Sequence, residues 1–259
     1  MISFDCHAHI YHRLAAVAEA RYVPRDPAPL ESWRRHLEDH GLRGGVIVQV
    51  SFLGTDNSEL CRALETLDRR RFAGVAVVPL DVPTQEIDRL AALGVRGVRW
   101  NLVRGTALPD LTSPTVRGFL DRLFARDLHV EIHLEGPRLA PWIEPLLETG
   151  GKIVVDHYGL PSDAVPDRDP LLSQITRLAD ISRLYVKLSA PYRTGFGLSA
   201  HAAFLTQTLG AERLVWGSDW PHTQHEGCVD FAKVAEHRER LGPLNDTKAV
   251  RDLYGLTMD

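Results

Sequence analysis

Short β-rich runs alternate with stretches of helical periodicity along the whole chain, and this alternation constrains the fold more than any other feature. Several runs are dominated by Val and Ile, as in residues 45–50 and 152–156. Such apolar continuity is typical of parallel strands that are covered on both faces. The predicted strands are residues 3–10, 45–50, 72–78, 95–102, 129–134, 152–157, 184–189 and 213–219.

The intervening segments carry apolar residues at three- and four-residue spacing, which predicts amphipathic helices. The predicted helices are residues 30–40, 58–70, 84–93, 115–126, 140–147, 170–181, 200–209 and 230–241. Eight strand–helix units predict an α/β fold, a (β/α)8 TIM barrel in which residues 1–259 form a single domain. A doubly wound open sheet is the alternative, although no glycine-rich phosphate loop follows the first strand.

Composition excludes several classes of function. The chain has 259 residues, 44% of them hydrophobic, a net charge of −4 and basic residues spread along its length, so we expect neither disorder nor a nucleic-acid partner. Three cysteines, odd in number and far apart, argue against a disulfide scaffold and for a reducing compartment. The N-terminus lacks the pattern of a signal peptide, and no apolar run approaches the ~20 residues of a membrane helix. We therefore expect a cytoplasmic protein without a membrane partner; the sequence does not predict its oligomeric state.

In a TIM barrel the chemistry lies at the carboxyl ends of the strands, and polar residues end nearly every predicted strand. His7 and His9 end the first strand and, being two residues apart, project to the same face. Their Cα atoms should lie about 7 Å apart, so the two imidazoles can converge on one metal ion or one oxygen atom. The alternative is a pair of ordinary histidines in a surface turn.

Three further rim residues are candidates. Asp219 ends the apolar eighth strand, where burial would perturb its carboxylate and suit it to act as a general base. With Pro221 soon after it, the same carboxylate could instead cap a following helix. His133 and His157 end strands five and six, and their shared place at the rim favours a functional role over that of satisfied core histidines. Asp156 alternates with His157 and is therefore expected to face the helices.

Arginines follow strands four and seven. Arg99, Arg104 and Arg193 are candidates to bind substrate carboxylates bidentately, although most arginines of the chain must be solvated surface residues. Ser51 lies in a polar loop after strand two, which offers hydroxyl and backbone donors or caps a helix. His222 is a further candidate, from the motif that ends strand eight. The histidines predicted to be exposed on helices are His36, His40, His201 and His237.

Six motifs carry a resemblance to a known family. They are D-C-H-A-H at 5–9, R-Y-V-P-R-D at 21–26, G-T-D-N at 54–57, G-V-R-W-N at 97–101, V-D-H-Y-G at 155–159 and W-G-S-D-W-P-H at 216–222. With them the chain resembles, nearly end to end, the amidohydrolase superfamily, in the branch of 2-pyrone-4,6-dicarboxylate hydrolases and related lactonases. The resemblance implies that His7, His9 and His157 are catalytic and that Asp219 is the general base. It also implies substrate contacts from Tyr22, Arg99, Arg104 and Arg193.

The sequence departs from this branch at strand five. The pyrone dicarboxylate hydrolases carry tyrosine there and look able to work without a metal, whereas metal-dependent members of the superfamily carry histidine, as this chain does at His133. The resemblance therefore implies a mononuclear Zn²⁺ site made of His7, His9, His133 and Asp219, with metal-free catalysis as the alternative. His157 would then polarise the carbonyl group or support the ligands.

We therefore expect a hydrolase that opens a lactone, or a similar cyclic ester, of a small anionic molecule. Leu160 follows His157 where the pyrone dicarboxylate hydrolases have another arginine, so one of their carboxylate contacts is absent. Three alternatives remain: a metal-dependent decarboxylase of the same superfamily, a neutral sugar lactonase, and a binding barrel that has lost catalysis. Release of carbon dioxide, competition by dicarboxylates and binding without turnover would distinguish them.

Overall fold

Eight strands form one sheet in sequence order, and each pairs in parallel with the next, so the barrel prediction is confirmed. The computed structural model describes residues 2–18, 20–242, 244 and 246–257. The strands are β1 Phe4–Ala8, β2 Gly44–Val48, β3 Phe72–Ala76, β4 Val95–Asn101, β5 His129–His133, β6 Ile153–Val155, β7 Leu184–Ser189 and β8 Leu214–Gly217.

Helices cover the outside of the strands because each turns an apolar stripe inward; α4, for example, buries Val116, Phe119, Leu120 and Leu123. Within the described ranges the helices are α1 Leu30–Asp39, α2 Ser58–Thr66, α3 Thr84–Leu93, α4 Pro114–Phe124, α5 Gly136–Leu139, α6 Ile143–Leu147, α7 Pro170–Ile175, α8 Ser199–Leu209, α9 Phe231–Arg240 and α10 Thr247–Tyr254. None of these helices has both the length and the apolar character needed to cross a membrane.

Several element boundaries differ from the prediction. The helix expected at 140–147 is two short helices, the one expected at 170–181 ends at Ile175, and α10 was not anticipated. Strand six ends at Val155 rather than at residue 157, because His157 and Tyr158 take left-handed φ angles of 54° and 58° that end the extended backbone.

The four histidines predicted to be exposed on helices are not. His201 is fully buried, and its Nε2 lies 3.0 Å from the carbonyl oxygen of Asp163. The other three, His36, His40 and His237, are half-buried. His36 stacks on Phe231, with the ring centroids 4.7 Å apart, so a helix–helix contact covers a ring that the periodicity alone assigns to solvent.

The lower interior of the barrel is apolar. Side chains from six strands and from α10 form one buried cluster there, which includes Phe4, Val46, Val75, Val154, Tyr185, Val215, Ala249, Val250 and Leu253. Because side chains alternate along a strand and Val154 faces the interior, the residue two positions later, Asp156, faces it too. The expectation that Asp156 faces the helices is therefore wrong.

Asp5 joins the first strand to the last. Its Oδ1 accepts hydrogen bonds from the backbone amides of Ser218 (2.8 Å) and His7 (3.2 Å), and its Oδ2 accepts from Ser218 Oγ (2.6 Å) and Trp33 Nε1 (2.8 Å). Beside it, the amide of Asp219 donates to the carbonyl oxygen of His7 at 2.7 Å. This seam between β1 and β8 places the ends of the two strands side by side.

The hydrogen bonds of Asp5 predict that the isosteric replacement Asp5→Asn lowers the free energy of unfolding. In either orientation the asparagine amide group points N–H donors at other donors, so two buried donors lose their acceptor, and each such loss costs about 1–3 kcal/mol. We expect a lower free energy of unfolding in urea. The control is Trp33→Phe, which removes one donor but leaves the acceptor satisfied by the others. If Asp5→Asn unfolds at the same urea concentration as the unsubstituted protein, Asp5 does not hold the seam.

Candidate active site

Polar side chains from most of the strand ends line one cavity at the carboxyl end of the barrel. They belong to β4 and β5 and to the segments that follow β1, β2, β4, β6, β7 and β8. The lining residues are His9, Arg21, Tyr22, Val50, Ser51, Phe52, Arg99, Asn101, Val103, Arg104, His133, His157, Arg193, Asp219, Thr223 and Gln224. Four arginines and one carboxylate give this cavity a cationic lining.

Asp219 is held by one of its two oxygens. Its Oδ2 accepts hydrogen bonds from Tyr192 Oη at 2.6 Å and from Arg193 at 2.6 Å (Nη2) and 2.9 Å (Nε). Burial alone would raise the pKa of Asp219, but the Arg193 guanidinium and His157 hold that pKa well below its usual range. The carboxylate is therefore ionised at neutral pH and fixed in orientation.

The other oxygen of Asp219 faces three imidazoles. Its Oδ1 lies 3.7 Å from His7 Nε2, 3.6 Å from His9 Nε2 and 3.9 Å from His157 Nε2. Neither this Oδ1 nor His7 Nε2 has a hydrogen-bond partner among the described residues, although both atoms are buried. Asp219 and His157 both have left-handed φ angles, 58° and 54°, and such backbone persists only where the surrounding structure enforces it. The fold therefore brings the Nε2 atoms of His7, His9 and His157 together around Asp219 Oδ1.

In His9 and His157, the hydrogen bond made by Nδ1 fixes the orientation of the ring. Nδ1 of His9 lies 2.8 Å from the carbonyl oxygen of Val48, which can only accept, so this nitrogen carries the proton. Nδ1 of His157 lies 2.8 Å from Ser189 Oγ. Burial, with the charge of Lys187, lowers the pKa of His7 to about 3, and burial also lowers the pKa of His157 well below its usual range. The buried rings of His7 and His157 are therefore neutral and able to act as ligands or hydrogen-bonding groups.

A layer of buried charges lies beneath the histidines. Lys187 Nζ is 2.5 Å from Glu131 Oε2 and 3.1 Å from His7 Nδ1, and Arg99 Nε donates to Asp156 Oδ2 at 2.8 Å. The two cations and two anions are all at most 4% exposed. Sequence reasoning missed Glu131 and Lys187, because each is the only Asp, Glu, Lys or Arg of its strand. The available signal was position: Glu131 stands two residues before the candidate His133, and Lys187 stands two residues before the predicted end of strand seven.

The residues around Asp219 fit a divalent metal ion. Ligand atoms of His7, His157 and Asp219 lie within 4.8 Å of one another. The ligands of a tetrahedral Zn²⁺ are about 3.3 Å apart, close to the 3.6 to 3.9 Å that separate the three Nε2 atoms from Asp219 Oδ1. The orphaned Nε2 and Oδ1 atoms are those that an ion would satisfy. His133, which the resemblance implied as a further ligand, belongs to a second candidate group, with Asp156 and His157.

Comparison with known proteins identifies the family. The Amidohydrolase family model, Amidohydro_2, matches residues 4–255. The chain belongs to the amidohydrolase family. A 4-sulfomuconolactone hydrolase of Rhizobium radiobacter is 29% identical to it over 233 residues, which cover 85% of this chain and 76% of that one. A 2-pyrone-4,6-dicarboxylate hydrolase of Comamonas testosteroni is 27% identical over 270 residues, covering 92% and 86%. A solved structure of a candidate 2-pyrone-4,6-dicarboxylic acid hydrolase from Pseudomonas putida matches with a TM-score of 0.88 and 36% identity, over 100% of this chain and 99% of that one.

Among the predicted substrate contacts of this amidohydrolase, Tyr22, Ser51 and Arg104 line the cavity. Arg99 and Arg193 line it too, but each also holds a buried carboxylate: Asp156 for Arg99 and Asp219 for Arg193. Their side chains therefore orient the site as well as face a substrate.

His222 lies apart from the other predicted contacts. It is buried, with its Nδ1 3.3 Å from Tyr192 Oη, and it stands outside the set of lining residues. Sequence reasoning also missed Tyr192 and Arg21, of which the first holds Asp219 and the second lines the cavity. The sequence signals were the place of Tyr192 beside Arg193 and the place of Arg21 in the motif at 21–26.

The shared position of His157 predicts the order of metal affinities in this amidohydrolase. Because His157 belongs both to the group with His7 and Asp219 and to the group with His133 and Asp156, His157→Ala disrupts both. We expect His157→Ala to weaken Zn²⁺ binding more than His133→Ala does. Titration of chelator-treated protein with zinc, followed by calorimetry, measures this. If His133→Ala loses as much zinc affinity as His157→Ala, or more, His133 is itself a principal ligand of the ion.

Proposed function

We propose that this amidohydrolase hydrolyses the ester bond of a lactone that carries at least one anionic group. The observation that carries the proposal is the free Oδ1 of Asp219, held among three imidazoles in a cavity lined by four arginines. Two relatives support it, since they are named for hydrolysis of a sulfomuconolactone and of a pyrone dicarboxylate. The class of enzyme is thus a hydrolase acting on cyclic ester bonds.

Asp219 is the proposed general base. Its Oδ2 is occupied by Tyr192 and Arg193, so the proton of a water molecule passes to Oδ1. The resulting hydroxide attacks the lactone carbonyl, and the ring C–O bond then breaks. The proton held on Asp219 returns to the leaving oxygen, so that one water and one lactone give one ring-opened hydroxy acid.

The oxyanion of the tetrahedral intermediate needs donors close to the carbonyl oxygen. His7 and His157 are the proposed donors, since their Nε2 atoms lie 3.7 and 3.9 Å from Asp219 Oδ1. His9 lies beside them, but its proton is on Nδ1, so its Nε2 offers a lone pair instead. The residues that would hold a Zn²⁺ ion are the same three histidines with Asp219, and such an ion would supply Lewis-acid polarisation of the carbonyl group and of water.

Arg21 and Arg104 are the proposed contacts for the anionic group. Both line the cavity, and their side chains bind neutral oxygens: Arg21 donates to Asn101 Oδ1 at 2.9 Å, and Arg104 donates to Gln224 Oε1. Burial, together with the charges of Arg104 and Arg99, lowers the pKa of Arg21. An anionic substrate would relieve this crowding of like charges.

Asp219→Asn tests the general base. The asparagine oxygen can still accept from Tyr192 and Arg193, whereas its amide nitrogen cannot take a proton from water. We expect kcat to fall about 10²–10⁴-fold with an unchanged circular-dichroism spectrum, measured as loss of ultraviolet absorbance from pyrone and muconolactone carboxylates. The control is the exposed Asp167→Asn. A near-normal rate in Asp219→Asn would remove the base assignment, and carbon dioxide release in the same assay would indicate a decarboxylase.

Arg104→Gln tests recognition of the anionic group. Loss of one charged hydrogen bond costs about 1.5–3 kcal/mol, so KM for a carboxylated lactone should rise about 10- to 100-fold. A neutral sugar lactone should show no such change, and neither should the exposed Arg117→Gln on α4. Equal effects on carboxylated and neutral lactones would instead support a neutral sugar lactonase.

A further inference from the structure

We propose that Lys187 is a positioning residue that holds the proton of His7 on Nε2, so that without a bound metal His7 faces Asp219 and the substrate as a hydrogen-bond donor. The role toward a substrate rests on the proposed function. The position of the proton does not, because it follows from contacts inside the barrel.

The contact of Lys187 with His7 sets the direction of the hydrogen bond. Lys187 is fully buried in β7, and its Nζ lies 3.1 Å from His7 Nδ1. Glu131 Oε2 lies 2.5 Å from the same Nζ and forms an ion pair with it. An ammonium group has donors and no acceptor, so Nδ1 of His7 must accept. A neutral imidazole has one N–H, which therefore lies on Nε2.

Asp156 is the competing partner of the same nitrogen. Its Oδ1 lies 3.3 Å from His7 Nδ1 and could accept a proton from it. That oxygen makes no hydrogen bond of acceptable geometry to any described residue, whereas Oδ2 accepts from Arg99 at 2.8 Å. Lys187, and not Asp156, is therefore the hydrogen-bond partner of His7 Nδ1. Without its ammonium, Asp156 would be the group facing Nδ1, and the proton of His7 would move there.

The two histidines of the H-x-H pair consequently carry opposite tautomers. His9 has its proton on Nδ1, bound to the carbonyl oxygen of Val48, so its Nε2 presents a lone pair. His7 presents N–H from Nε2, an atom that has no partner in the described ranges. A metal ion bound to Nε2 of His7 would require this proton to move to Nδ1 and would break the contact with Lys187. Lys187 thus opposes metal binding at His7 and favours a direct hydrogen bond to a substrate oxygen.

Nitrogen NMR of protein labelled with ¹⁵N-histidine reads the tautomer directly. In the metal-free protein, long-range proton–nitrogen correlations should show His7 protonated on Nε2, with the ring assigned by the spectrum of His7→Asn. In Lys187→Met the proton should move to Nδ1, which leaves Nε2 free for the ion. Zinc affinity should then rise, by a factor within the about 10- to 100-fold range over which partners of ligating histidines alter metal affinity. The matched control is Lys233→Met, an exposed lysine on α9.

A second variant guards against a loss of folding. Lys187→Met leaves Glu131 without its cation, so Lys187→Met combined with Glu131→Gln removes both charges together. An Nδ1 proton on His7 in the unsubstituted protein, or an unchanged tautomer in either variant, overturns the proposal. If neither variant folds, the tautomer of the unsubstituted protein alone decides it. Failure to open any lactone, with the expected tautomers observed, would refute the proposed function and leave the role of Lys187 standing.

Discussion

The site depends on the seam that closes the barrel between its first and last strands. Asp5 and Ser218 are 213 positions apart, yet Asp5 accepts both the amide and the hydroxyl of Ser218. The adjoining bond from the Asp219 amide to the His7 carbonyl is 2.7 Å long. These bonds place Asp219, the proposed general base, directly beside His7. A barrel open at this point would leave the same residues on separate edges of a sheet.

The buried charges below the site are not explained by stability. Taking two cations and two anions out of water costs several kcal/mol per ion, and well-packed apolar residues in their place are often as stable or more so. Arg99, Lys187, Glu131 and Asp156 are two basic and two acidic residues, all buried, and of the four Arg99 also lines the cavity. Lys187 and Asp156 face Nδ1 of His7, so its Nε2 stays available to the cavity. The layer is therefore best understood as an orienting device, supported by the apolar cluster and α10 beneath it.

Much of the site was predictable because strand ends in a barrel converge. His7, His9, His157 and Asp219 each end a strand, and knowledge of the fold alone brings them together. The side on which a residue lies was harder to predict. The facing of Asp156 was inverted, because His157 reaches the cavity through a left-handed backbone angle of 54° rather than by alternation. Lys187 and Glu131 were overlooked because a lone charge inside an apolar strand acquires meaning only from its neighbours across the barrel. Helix α10 was also missed. It packs against the apolar cluster inside the barrel, a contact that the pattern of the strands does not predict.

The four arginines of the cavity form two pairs, one bound to carboxylates of the protein and one bound to neutral oxygens, and this difference favours an anionic ligand. Arg99 and Arg193 are paired with Asp156 and Asp219, so their charges are neutralised within the protein. Arg21 and Arg104 instead bind amide and carbonyl oxygens, which hold a guanidinium in place without cancelling its charge. The resulting surplus of positive charge lies on two exposed arginines of the cavity that also contains Asp219, the proposed general base. A substrate whose acid group meets that surplus would hold its ester group in the same cavity as Asp219, because Arg21, Arg104 and Asp219 all line it.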